Sequence, residues 1–556
     1  MTDQTPTATA FIHLDDAKLG WFHLRAVIVS GVGFFADAYD IFVISQALPM
    51  IYQVYYGPSL ISGTYPPFMP GFDNPSPIPK TPQNTKVDFN SDFPNGIHVD
   101  AWMKASTNWG NLIGQIAFGV LGDKLGRKKM YGVELIIMIV CTLGSTLSAS
   151  MVNGLSILEV FSMWRFFLGI GIGGDYPMSA VITAEFANVR YRGMMLAAVF
   201  AMQGVGIMTG GIVCVVALAA LRVQVQSDYS YLDTVWRIAV GFGIVPALCA
   251  VYFRLTIPET PRFTVNVLGD AEQAEHDVAK VLLMNENSQN VTSNWESDTT
   301  VTSRRTTIAV KKNSLSEFKN YFGQWRNAKT LIGCMYCWFS LDVAWYGLAL
   351  NQSTVLNLIN FNGPGKITVN DAKITPPLDV WNLFYQIAVG NVIIAFAGTV
   401  PGYWFTVALI EKLGRKPIQY VGFGVITICL ATLAGDWDRI STQQTSFLIV
   451  FTVAQFFFQF GPNTTTFVVP GEVFPTRFRS TGHGLSAAAG KVGAIIGIQV
   501  VGPYFSGNAQ IVLAAFAGIM FSGFVATWLI PETAGKSLEE LCGEDSNAEG
   551  GSTVIV

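Results

Sequence analysis

Twelve apolar stretches long enough to cross a bilayer run through this 556-residue chain and leave it few folds. They fall at about 25–50, 105–122, 131–151, 155–185, 194–221, 236–257, 329–350, 382–410, 417–435, 445–474, 480–505 and 510–530. In hydrocarbon every backbone N–H and C=O must bond within the protein. Runs of this length therefore predict helices, whereas barrel strands would read as alternations of roughly ten residues. Only 13% of the residues are Asp, Glu, Lys or Arg, where a soluble chain carries about 25%. The net charge of −4 offers no basic field of the kind nucleic-acid binding needs. Six of the seven cysteines lie in apolar runs and only Cys542 in a polar tail, so no disulfide framework is legible. Cys334-x-x-Cys337 sits in an apolar run without a second pair or a histidine and reads as packing. The five histidines are isolated, and neither a metal-ligand cluster nor a nucleophile–base pair stands out.

Lys and Arg set the orientation. The 2–3 loop carries Lys124, Arg127, Lys128 and Lys129, the 8–9 loop Lys412, Arg415 and Lys416, and the 10–11 connection Arg477 and Arg479. These short basic loops are expected in the cytoplasm, with both termini. The loops of the opposite side are longer and sparser in charge, with Lys80, Lys86 and Lys104 counted in the first. A polar stretch from Arg262 to Trp325 separates two halves that share markers. Leu125-Gly-Arg-Lys recurs as Leu413-Gly-Arg-Lys, and Pro258-Glu-Thr recurs as Pro531-Glu-Thr. The expected organisation is a cytoplasmic N-terminal segment (1–24), an N-terminal six-helix half (25–257), a cytoplasmic central loop (258–328), a C-terminal six-helix half (329–530) and a cytoplasmic tail (531–556). Parallel halves around a midplane cavity are an architecture of secondary transporters.

A charge at the bilayer centre costs at least ~2.5–3.5 kcal/mol on insertion scales and so marks function by default. Those inside the apolar runs are Asp37, Asp40, Glu134, Arg165, Asp175, Asp342 and Lys491, with Glu185 and Glu472 nearer the ends. Asp37 and Asp40 are three residues apart and share a helix face. Two carboxylates so placed repel in a low dielectric, which suits one of them to carry a proton. Arg165 and Asp175 bracket the glycine-rich run Gly169-Ile-Gly-Ile-Gly-Gly. Trp338, Asp342 and Tyr346 recur at four-residue spacing, placing an indole, a carboxylate and a phenol on one stripe. In the tenth span, Pro462 is expected to interrupt the helix beside Asn463 and three threonines, exposing backbone groups at midplane depth. Asp123 with Arg127, and Glu411 with Arg415, lie beside glycine turns and read as a cytoplasmic charge network that closes in one state and opens in another.

Together these motifs resemble the major facilitator superfamily, its sugar-porter branch in the broad sense. Within that branch, Gly171-Ile-Gly-Gly-Asp-Tyr-Pro, Phe200-Ala-Met-Gln203, Trp338-Phe-Ser-Leu-Asp342, Phe460-Gly-Pro-Asn-Thr-Thr-Thr466 and Gly490-Lys491 are similar to the proton-coupled inorganic phosphate symporters of fungi and plants, with a lean to the fungal high-affinity type. The resemblance implies an all-α plasma-membrane protein of twelve transmembrane helices with a central cavity between its halves. It also implies phosphate contacts from Tyr176, Gln203, Trp338, Asp342, Tyr346 and Asn463. Asp37 or Asp40, Glu134, Arg165, Asp175 and Lys491 would serve proton movement or gating. It implies no metal and no cofactor, the proton being the coupling ion. Kinases or ubiquitin ligases acting on the central loop are further expected partners. A proton-coupled sugar carrier, or a phosphate sensor signalling through its loop, are the alternatives.

Overall fold

The computed structural model describes residues 20–62, 96–150, 155–255, 259–268, 270, 273, 315–358 and 377–542. Twelve long helical units follow one another: α1 (His23–Tyr56), α2 (Gly96–Leu125), α3 (Arg127–Thr146), α4 (Ile157–Phe186), α5 (Arg192–Ala220), α6 (Tyr229–Leu255), α7 (Trp325–Ala349), α8 (Val380–Leu413), α9 (Arg415–Gly435), α10 (Gln444–Val473), α11 (Thr476–Val501) and α12 (Asn508–Leu529). No strand occurs among the described residues. The proline-rich stretch at 63–95, the segment 359–376, most of the central loop and the tail beyond Cys542 lie outside them, and with these the expected regulatory segment.

Eleven of the twelve are long and apolar enough to cross a membrane by themselves. The exception is α2, and its side chains explain why. Asp100, Lys104, Asn108, Asn111 and Gln115 are all buried along it, and α2 packs between α4 and α11. A helix shielded by neighbours from lipid can be polar. Lys104, expected in an external loop, thus belongs to a helix interior. Lipid instead meets apolar side chains such as Ile136, Phe167, Val216, Phe396, Ile428 and Phe521, which are exposed.

The break in α10 falls at Phe460–Gly461, whose backbone leaves the helical region just before Pro462. The Gln459 carbonyl freed there accepts from Thr464 Oγ1 at 2.8 Å and Thr406 Oγ1 at 3.0 Å. Threonine hydroxyls are one of the few ways to satisfy such a group at membrane depth.

The repeated sequence markers have a shared structural purpose. Glu259, from the first Pro-Glu-Thr, accepts from the Arg127 and Lys128 N–H groups at 3.1 and 3.2 Å, closing the open N-terminus of α3. Glu532, from the second, accepts from Arg415 and Lys416 N–H at 3.0 and 2.9 Å and does the same for α9. A carboxylate there satisfies orphan donors and complements the helix dipole. Each capped helix follows a glycine of positive φ, Gly126 at 102° and Gly414 at 88°. A Cβ on either would lie within 3 Å of the capping carboxylate.

Candidate functional site

The stripe on α7 meets the other half of the molecule at its centre. Asp342 and Lys491 of α11 are each about 1% exposed, and Lys491 Nζ donates to Asp342 Oδ2 at 2.8 Å. The ammonium lies 4.0 Å from the Tyr346 ring centroid and 5.4 Å from that of Tyr176 of α4. Trp338 stands one turn below Asp342, its ring 6.3 Å from Tyr176. Gly490 allows this: a Cβ there would sit 2.5 Å from Trp338 Cδ1 and 2.9 Å from Asp342 Oδ2. On the opposite wall a chain of polar groups crosses between halves. Asn463 Nδ2 donates to Gln459 Oε1 at 2.6 Å and to Tyr403 OH at 2.9 Å, and Tyr403 donates to Gln203 Oε1 at 3.1 Å. Phe34, Phe200 and Phe467 form an aromatic lid between the walls, with ring centroids 4.6–5.4 Å apart. The structure thus brings together all six expected substrate residues, Tyr176, Gln203, Trp338, Asp342, Tyr346 and Asn463, with Lys491. It adds Tyr403, which no charge or motif distinguishes in the sequence, and Gln459, which opens the proline-broken run of the tenth span but carries no charge.

A second cluster lies within the N-terminal half. Arg254 of α6 donates to Glu134 Oε1 at 2.9 Å and to Asp175 Oδ2 at 2.6 Å, with its guanidinium 4.4 Å over the Tyr131 ring. Ser179 donates to the other Asp175 oxygen at 2.5 Å. Asp37 of α1 adjoins this cluster, with Asp175 and Arg254 among its charged neighbours. Neither Asp37 oxygen receives a hydrogen bond from a described donor. Gly33, one turn earlier, has no room for a side chain, since a Cβ there would overlap Arg254. Arg254 is the functional candidate that sequence reasoning missed. It ends an apolar run, where an arginine passes for an interfacial anchor.

Arg165 lies apart from this cluster. It bracketed the glycine run with Asp175, but its carboxylate neighbour is Asp40, whose Oδ2 also accepts from Thr142 Oγ1 at 2.9 Å. Helix spacing along α4 could not show that Asp175 faces α6. The facing pair Asp37 and Asp40 therefore divides between two surroundings.

The charge network beside the glycine turns joins the halves. Asp123 accepts from the Ser480 and Thr481 N–H groups at 3.1 and 2.7 Å, at the start of α11. Arg127 pairs with Asp123 and Glu185 at 3.3 Å each, and Arg479 of the other half pairs with Glu185 at 3.0 Å. The second copy mirrors this: Glu411 accepts from Met194 N–H at 2.9 Å at the start of α5, while Arg415 pairs with Glu411 at 2.7 Å and Glu472 at 2.9 Å. Arg262 reaches Glu539 at 2.9 Å. Burial would raise the Glu539 carboxyl, but Arg262 outweighs it and holds the group down at about 2. The far side is closed as well. Lys104 donates to Asp100 at 2.7 Å and, across the halves, to Asn351 Oδ1 at 2.9 Å. Ser353 Oγ donates to Ser45 O, and Trp381 Nε1 to Leu218 O, both at 2.8 Å.

A polar centre sealed at both ends by contacts between two homologous halves defines a secondary transporter of alternating-access design, with the major facilitator fold. The sequence profile described as "Sugar (and other) transporter" matches residues 26–542, and the chain belongs to that family. It is 39% identical to the repressible high-affinity phosphate permease of Neurospora crassa, over 96% of this chain and 89% of that one. It is 37% identical to the inorganic phosphate transporter PHO84 of Saccharomyces cerevisiae, over 95% and 85%. The solved proton:xylose symporter XylE of E. coli matches in fold, with a TM-score of 0.66 over 94% of this chain and 98% of that one at 18% identity.

Proposed function

We propose that the protein imports inorganic phosphate together with protons by alternating access. The observation that carries this reading is the Asp342–Lys491 pair at the meeting point of the halves. A buried cation needs a counter-charge, because an isolated ion in a low dielectric costs several kcal/mol or more. When Asp342 takes up a proton, Lys491 loses its counterion and an anion can replace it. When Asp342 releases the proton, the internal pair re-forms and expels the anion. Anion and proton are thereby taken up together, with charge conserved at the site.

Dihydrogen phosphate suits the surrounding groups. Its bare oxygens accept from the hydroxyls of Tyr176 and Tyr346, the Trp338 indole, the amides of Gln203 and Asn463, and Lys491, while a carboxylate or phenolic oxygen accepts from P–OH. Glu134 and Asp175, which share Arg254 beside Asp37, form a proton-holding site next to the cargo. Arg165 and Asp40 position α1 against α4. Asp123, Arg127, Glu411 and Arg415 form the cytoplasmic gate. The plasma membrane with both termini in the cytoplasm is the setting this reading requires, and the central loop offers the surface for kinases or ubiquitin ligases.

A hexose carries no charge and would leave the Asp342–Lys491 pair without a use. Uptake of labelled phosphate into cells or liposomes, challenged with excess unlabelled phosphate or hexose, tests the substrate. Competition by phosphate alone is expected, and equal competition by hexose overturns the reading.

A further inference from the structure

A cavity of about 570 Å³ opens on the cytoplasmic face of the C-terminal half, away from the central site. Its walls come from the start of α7, the start of α9, the exit of α12 and the short helix Leu538–Cys542. Four cations line it, Arg326, Lys329, Lys416 and Lys536, against the single carboxylate of Glu540. Elsewhere on this face Arg127, Arg262, Arg415, Arg477 and Arg479 each form an ion pair. The four in the cavity form none among the described residues; Lys416 has both Lys329 and Glu532 as charged neighbours.

Two of the cations are held in place. Lys416 Nζ donates to the Ile530 and Trp528 carbonyls at 2.9 and 3.3 Å, and Lys329 Nζ lies 4.2 Å from the Trp528 ring centroid. Trp528 and Trp325 are 66% and 71% exposed at the points where α12 leaves and α7 enters the bilayer. Exposed tryptophans at helix ends mark headgroup depth. The concavity therefore opens at the inner leaflet, with unpaired cations facing a surface rich in anionic lipid.

We propose that this cavity binds the phosphorylated headgroup of an anionic inner-leaflet lipid, its phosphoryl oxygens accepting from Arg326, Lys329 and Lys536 while Lys416 supplies charge from the floor. The site touches the gate through one element. Lys536, whose carbonyl accepts from Arg192 Nη1 at 3.0 Å, and Glu540 both flank Glu539, the partner of Arg262. A headgroup there steadies the tail helix against the N-terminal half and favours the state closed to the cytoplasm. The proposal does not depend on what the central site carries.

The test uses the full chain in phosphatidylcholine nanodiscs, with fluorescent phosphatidylinositol 4,5-bisphosphate titrated in. Arg326→Gln/Lys329→Gln/Lys536→Gln should weaken binding by about fivefold per charge removed, the scale of one basic residue at an anionic surface. Lys129→Gln, exposed on the same face but outside the cavity, should leave it unchanged. Retained affinity in the triple variant, or an equal loss in Lys129→Gln, overturns the site. Soluble inositol 1,4,5-trisphosphate should bind at least tenfold more weakly than the lipid, and equal affinity overturns the lipid as ligand. Thermal unfolding of the triple variant at the wild-type temperature establishes that lost binding is not lost fold.

Discussion

Among the described residues Asp342 and Lys491 form an ion pair only with each other, which gives their substitution distinct signatures. Asp342→Asn leaves Lys491 an uncompensated buried charge, a change that costs about 3–5 kcal/mol in comparable pairs. Melting of the phosphate-free variant should fall accordingly, and added phosphate should restore much of the loss by replacing the missing counter-charge. Proton-driven uptake should drop to background, since the carboxyl whose protonation frees Lys491 for the anion is gone. Wild-type uptake in this variant contradicts the coupling role. Arg254→Gln should act on stability instead: Glu134 and Asp175 lose their shared cation, and a drop of about 3 kcal/mol or more is expected in denaturant unfolding at neutral pH. The contrast also explains what the sequence revealed. Asp342 stood alone in an apolar run and was conspicuous, as was Lys491. Arg254 sat near a run's end, where basic residues are common, and Tyr403 and Gln459 carry no charge. Only packing across helices shows that they reach the centre.

At the level of elements, the recurring markers were legible because caps and turns are local. A glycine followed by a basic helix start, with a Pro-Glu-Thr at the end of each half, is a pattern of adjacent residues. Its meaning, a carboxylate returning from the sixth helix of each half to close the third, is a tertiary fact. Gly126→Ala and Gly414→Ala should each cost about 1–3 kcal/mol, because their φ and ψ lie in a region kept almost entirely to glycine. The measurement is the melting temperature of each variant, and an unchanged value for both contradicts the cap geometry. Helix α2 illustrates the reverse difficulty. Its midsection is legible, yet Lys104 reads as a residue of the preceding loop. A charge near a helix end reads as solvent-exposed until a partner such as Asn351 is seen on the opposite half.

For the whole molecule, the decisive property is closure at both ends, with the centre occluded. The Arg262–Glu539 clasp has a defined pH dependence. The Glu539 carboxyl is lowered to about 2 from the usual range near 4.5, so its contribution is complete above about 4.5 and is lost only as pH falls through that window. A cytoplasm near neutrality never reaches it. Glu539→Gln should thus increase the population open to the cytoplasm at pH 7, read as a longer spin-label distance across that face. Wild-type protein should show no such opening between pH 7 and pH 5. An opening of the wild type within that range contradicts the assignment of Glu539 as a constant clasp. The two-half architecture was readable from repeated markers and apolar runs; the occluded state was not, because it depends on which contacts between halves form at once.

Joint uptake of a proton on Asp342 and a phosphate anion on Lys491 makes transport depend on the proton gradient, and radiolabelled phosphate uptake into proteoliposomes with an imposed pH gradient measures that dependence. Uptake should rise when the outside is acidic and collapse when a protonophore dissipates the gradient. Uptake indifferent to both the gradient and the protonophore would contradict it.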